Sequence, residues 1–151
     1  NMNQDRLIAV AMFSFSGGLV WILFIILLGE SPFSWFNLTG LISSIIAPAA
    51  ITYLMSPRIY KKEQSKRTKV LASFYGVGIT FLSFLLGSAI FFGIDLVQAE
   101  NPLTFKIIQD QVSLVLFGVL FATIFMSPGY LLGAITGVMY VKYLNRKEAE
   151  I

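Results

Sequence analysis

Four uncharged, apolar runs separated by short polar stretches set the pattern of this chain. Residues 7–28 (LIAVAMFSFSGGLVWILFIILL), 38–55, 70–94 and 112–141 contain no Asp, Glu, Lys or Arg, and they are 22, 18, 25 and 30 residues long. At a rise of about 1.5 Å per residue the first of them makes a helix of about 33 Å, enough to cross a hydrocarbon core of about 30 Å. The pattern predicts an all-α polytopic membrane protein, a single domain over 1–151 with four transmembrane helices at about 7–28, 38–55, 70–94 and 112–141. The polar remainder makes two loops of note, a basic one at 56–69 and an acidic one at 95–111.

Local breakers refine these elements. The first run closes on Gly29-Glu30-Ser31-Pro32 rather than on a small-residue cleavage site, which favours an uncleaved helix over a signal peptide. Phe33, Trp35 and Phe36 follow, aromatic rings suited to the headgroup level. Pro48 interrupts the second run; its missing N–H leaves the carbonyl of Ser44 without a helical donor, so a kink is expected there. Asn101-Pro102 has the form of a helix start, an N-cap followed by proline at the first helical position. The last run is longer than one crossing needs, and Ser127-Pro128-Gly129 at its middle predicts a second kink, at Pro128. A re-entrant hairpin turning there is the alternative.

Charge placement gives the predicted orientation. Of the eleven basic residues, six lie between 58 and 69, where they are accompanied by one acid, Glu63. With four spans and a cytoplasmic N-terminus, Arg6, the loop bases and Lys142, Arg146 and Lys147 all fall on the cytoplasmic side, leaving only Lys106 outside. That is the positive-inside bias, and the re-entrant alternative breaks it. Both termini are therefore expected in the cytoplasm, with the protein integral to a bacterial plasma membrane. The loop bases Arg58, Lys61, Lys62, Lys66, Arg67 and Lys69 are candidate contacts for anionic lipid headgroups at that face, although setting topology is reason enough for them.

Composition agrees with a membrane class and removes much chemistry. The chain is 56% hydrophobic and 13% charged, outside the usual soluble range. It has neither histidine nor cysteine, so disulfides, histidine-ligated haem, iron–sulfur clusters and the usual zinc sites are excluded. A serine nucleophile would find no histidine or lysine base within the spans. Asp95, Glu100 and Asp110 are spaced as no metal loop is, so no catalytic, cofactor or metal residue is assigned. The sequon Asn37-Leu38-Thr39 lies at the membrane and is read as chance. Basic residues placed beside apolar runs suit a bilayer surface, and nucleic acid is not an expected partner.

Small residues mark candidate packing surfaces. Gly129, Gly133 and Gly137 recur every fourth residue, a doubled GxxxG that lets another backbone approach closely. Gly76 and Gly87 give the third run a weaker version. Ser14, Ser16, Ser43, Ser44, Thr80, Ser83 and Thr123 are expected to bond across helices or to carbonyls one turn back. AITYLM at 50–55 resembles AITGVM at 134–139, and ILFIILLG ending at Gly29 resembles TFLSFLLG ending at Gly87, a candidate duplication of two tandem helical hairpins.

The leading expectation is a non-enzymatic accessory, assembly or protective subunit that acts by helix packing with a membrane partner or with itself, as a homo-oligomer or part of a larger complex. The alternative is a small homo-oligomeric channel or carrier for a neutral or lipid-like substrate.

Overall fold

The computed structural model describes residues 2–31, 33–59, 68–99 and 102–150, with backbone alone at 57–59. Five helices follow one another: α1 (Met2–Leu28), α2 (Trp35–Ile59), α3 (Lys69–Gln98), α4 (Phe105–Phe125) and α5 (Pro128–Ala149). There is no strand among the described residues. The helices outrun the uncharged runs at several ends because polar side chains tolerate helix outside a hydrocarbon layer and local caps set the ends. Gly29 terminates α1 with φ +67°, its N–H bonding Ile26 O at 3.1 Å while Glu30 N–H reaches Ile25 O at 3.3 Å. This double bond pattern is a Schellman cap, and the left-handed φ needs glycine. Ser34 Oγ accepts the Asn37 N–H (3.2 Å) at the start of α2, and Thr68 Oγ1 accepts from Leu71 N–H (3.2 Å) at the start of α3.

Two expected features differ. Helix α4 starts at Phe105 and not at Asn101-Pro102: Thr104 is the N-cap, its Oγ1 accepting from Ile107 N–H at 3.3 Å. Pro102 lies ahead of the helix, and Asn101 lies outside the described residues. The fourth apolar run is two helices, broken by the turn at Met126 and Ser127, with Pro128 opening α5 where its missing N–H costs nothing. By contrast α2 passes through Pro48 as one helix. Gly17 of α1 packs directly on the Ser44 carbonyl that Pro48 leaves free, and a Cβ at Gly17 would also come within 2.8 Å of the proline ring. This close approach turns a Gly17 Cα–H toward that carbonyl, a weak donor from the neighbouring helix.

Antiparallel packing runs through the whole bundle. Helix α2 packs on α1 and α3, α5 packs on α3 and α1, and the substantial packing of α4 is on α3. Going down the last two helices, Gly118 abuts Ser88 and Phe92, Tyr130 meets Phe84, Gly133 meets Thr80 and Gly137 meets Ala72. The α3 numbers fall steadily as those of α4 and α5 rise. The break at Met126 and Ser127 is thus a joint in one descending rod, and the chain does not turn back there. Both termini share one end: Lys147 Nζ lies 2.6 Å from Asp5 Oδ1, Tyr140 Oη donates to Asp5 O at 2.9 Å, and Arg6 Nε donates to Tyr53 O at 2.6 Å.

The core lies toward that terminal end, where Ala9, Phe13, Ala72, Ile79, Tyr140, Val141 and Leu144 bury one another. The outer surface is apolar as well, with Phe15, Phe74 and Leu131 at least 65% exposed. Four helices, α1 to α4, are long and apolar enough to cross a membrane. A soluble protein rarely shows so much contiguous apolar surface, whereas helices satisfy their own backbone groups in lipid. The protein is an all-helical integral membrane protein.

One of the two sequence similarities does not fall at equivalent places in this structure. Gly29 ends α1, while Gly87 is inside α3 with residues up to Gln98 still to come.

Candidate membrane-embedded cavity

At the end away from the termini the bundle is hollow. Helix α4 stands off from α1, and the gap holds a cavity of about 400 Å³ bounded by all five helices. Its wall is largely aromatic: Phe13, Trp21 and Phe24 from α1, Phe36 from α2, Phe84, Phe91 and Phe92 from α3, and Phe117 and Phe121 from α4. Spacings of eight and three residues in α1, seven in α3 (Phe84 and Phe91) and four in α4 bring these rings to one side of their helices. They brace one another edge to face, with centroids 5.0 Å apart for Phe36 and Phe91 and 6.1 Å apart for Phe24 and Phe121. The latter pair is the side-chain bridge across the α1–α4 gap.

Trp21 fixes the outer part of this wall. Its ring lies directly on Gly40 of α2, where any Cβ would collide with it, and its Nε1 donates to Asn37 O at 2.9 Å. Asn37, only 3% exposed, donates in turn from Nδ2 to Ser31 O at 2.6 Å and to Glu30 Oε2 at 3.4 Å. That places Glu30 at the mouth of the cavity, the one ionisable residue in its lining among the described residues.

Polar groups deeper in the cavity are hydroxyls, and five of the six among the described residues, all but Ser88, are already engaged as donors. Ser16 Oγ donates to Met12 O (3.0 Å), Ser43 Oγ to Thr39 O (2.8 Å), Thr80 Oγ1 to Gly76 O (2.9 Å) and Ser83 Oγ to Ile79 O (2.6 Å). Ser44 Oγ donates to Leu41 O at 2.8 Å. Bonding back along the helix uses the single proton of each hydroxyl and leaves its lone pairs. The cavity therefore presents acceptors on an apolar wall.

The residues singled out in the sequence take varied places. Gly129, Gly133 and Gly137 are buried; Gly129 meets Phe84 and Val20, while Gly133 and Gly137 meet Gly76 of α3, where a Cβ at Gly137 would touch Ala72 O and come within 3.3 Å of Gly76 Cα. Gly87 faces α2, with a Cβ there 3.5 Å from Ala47 Cβ. Gly87, Gly129, Gly133 and Pro48 also line the cavity. Pro128 is exposed at the joint. Lys69 is exposed at the start of α3; Lys61, Lys62, Lys66, Arg67 and the Arg58 side chain lie outside the described residues. The aromatic wall, Glu30 and the Asp5–Lys147 pair were not anticipated. Ring spacing within α1, α3 and α4 was the available signal for the wall.

Comparison with protein-family models, curated proteins and solved structures returns no match for this chain. Its function has to be argued from the cavity itself.

Proposed function

We propose that this protein binds a small lipid-like molecule in the hollow half of its bundle, as a membrane carrier or holding protein. The observation that supports this is the cavity of about 400 Å³, inside the range of about 300–1,000 Å³ usual for ligand sites and walled by rings and hydroxyls without an ionisable group below its mouth. Surrounding lipid is as apolar as this wall, so transfer from lipid gives little selectivity by itself. Selectivity comes from ring packing and from the free lone pairs of Ser43 and Ser83, which accept from a ligand O–H or N–H. Phe24 and Phe121 sit where a molecule would enter sideways from the bilayer between α1 and α4.

The positive-inside bias supports placing the termini and the 56–69 loop on the cytoplasmic face, so the cavity belongs to the opposite half of the membrane. Assembly with a partner is the weaker reading. The glycine strip that favoured it lies between α3 and α5, and an interface between chains would need another surface.

Trp21 provides the test. In a Trp35→Phe variant it is the sole tryptophan, and it lines the cavity. Titrating the purified protein in neutral detergent with a brominated long-chain alcohol should quench Trp21 saturably, with reversal by the unbrominated alcohol. Ala122→Phe, which puts a ring into the cavity from α4, should remove the saturable component. Linear quenching identical in both proteins would refute the reading.

A further inference from the structure

Resting on that reading, the geometry points to a ligand with a cationic head, an alkyl- or arylammonium amphiphile whose body fills the aromatic cavity and whose charge sits at Glu30. Four observations converge on the mouth. Among the described residues Glu30 is the one ionisable side chain in the cavity lining. Its carboxylate is oriented by Asn37 Nδ2 on Oε2 at 3.4 Å, and no cation pairs with it among the described residues. It also directly follows the C-terminus of α1, where the helix carbonyls present partial negative charge and a cation, not an anion, is the stabilising neighbour. A bound ammonium group would answer both the carboxylate and the carbonyl end.

The rest of the site has the same polarity. Trp21, Phe24 and Phe36 lie around the outer part of the cavity and offer π-faces, and tryptophan is the strongest cation–π partner. The Trp21 N–H is already given to Asn37 O, and the hydroxyls of Ser43 and Ser83 have given their protons to carbonyls, so among the described lining residues Ser88 is the main donor left for an anionic head. Among the described residues at that end, Glu30, Asp95 and Asp110 face a single base, Lys106. This local excess of acid draws cationic amphiphiles to the mouth and disfavours anionic ones.

The experiment uses the full chain in the Trp35→Phe background, in neutral detergent at low salt. Two probes with the same alkyl chain displace the brominated alcohol: one with a trimethylammonium head, the other with the neutral, isosteric tert-butyl head. The cation should compete about tenfold better than its neutral isostere, as expected for one carboxylate and cation–π contact at the mouth. Glu30→Gln keeps the acceptor for Asn37 and should bring the two probes to within about twofold while leaving the neutral one unchanged. Equal competition in the parent protein, or a preference that survives Glu30→Gln, would overturn the cationic assignment while the cavity reading stands. Failure of both probes and of the alcohol itself would overturn the two together.

Discussion

Gly76→Ala tests the backbone-to-backbone approach of α3 and α5. A Cβ at Gly76 would touch Gly133 O and lie 2.7 Å from Gly133 C and 3.1 Å from Ala134 Cα. All of these are main-chain atoms of α5, so no side chain can swing aside. Bringing the nearest of these atoms, Gly133 O, to ordinary contact at 3.4 Å requires α5 to retreat by roughly 1.4 Å. A gap of that size forfeits about half or more of each dispersion well, and the wells are about 0.1–0.2 kcal/mol per atom pair. Over the few tens of pairs along Ala72, Gly76, Thr80, Gly129, Gly133 and Gly137 the loss is about 1–3 kcal/mol, the range usual for overpacking. The helix preference for alanine returns at most about 1 kcal/mol. Gly78→Ala, two residues away with nothing within 4 Å, keeps that return without the collision. Unfolding in mixed micelles, followed by far-UV circular dichroism, should therefore show Gly76→Ala destabilised by about 1–2 kcal/mol and Gly78→Ala unchanged or slightly stabilised. Equal stability of the two variants would refute the close-packed α3–α5 contact. A Gly76→Ala protein of unchanged stability but smaller native mass would show that the strip joins separate chains.

Other outcomes follow from single residues. Thr52 is fully buried and its Oγ1 has no hydrogen-bond partner among the described residues, so Thr52→Val removes an unsatisfied group at constant shape and should raise stability by about 1 kcal/mol in the same assay. The hydrogen bond to Asp5 raises the pKa of Lys147 above its ordinary range despite its exposure, so the terminal tie contributes fully below the unfolded lysine value of about 10.4 and fades as pH rises through the higher folded value. The stability difference between parent and Asp5→Asn should thus stay level from neutral pH to about 10 and close above that, while the Lys147 titration followed by NMR moves down in Asp5→Asn. With no native cysteine, single cysteines at Gln4 and Ala149 should react with an impermeant maleimide from one side of the membrane and one at Asp110 from the other. Labelling of Ala149 from the Asp110 side would contradict a continuous descent through α4 and α5.

What the sequence determined alone is the membrane class and the number of crossings, because uncharged runs of at least 18 residues have no other common home. It also located the breaks, since proline and glycine act on the backbone locally wherever they stand. Their consequences were not local. Pro48 and Pro128 carry the same covalent defect, yet α2 continues through the first because Gly17 of a neighbouring helix packs on the freed carbonyl, while the second opens a new helix after a turn. The glycine strip likewise reads the same whether its partner is another chain or α3, and only the packed bundle shows Gly76 and Thr80 against it. The cavity is the most tertiary feature of all. Each aromatic face is visible in its own helix, but a hollow needs the helices to stand apart, and that separation is fixed by the close α3–α5 contact at one end and the joint at Met126 and Ser127. Glu30 followed from neither periodicity nor composition, because an acid after a helix C-terminus looks like an ordinary loop residue until the fold sets it at the mouth of that hollow.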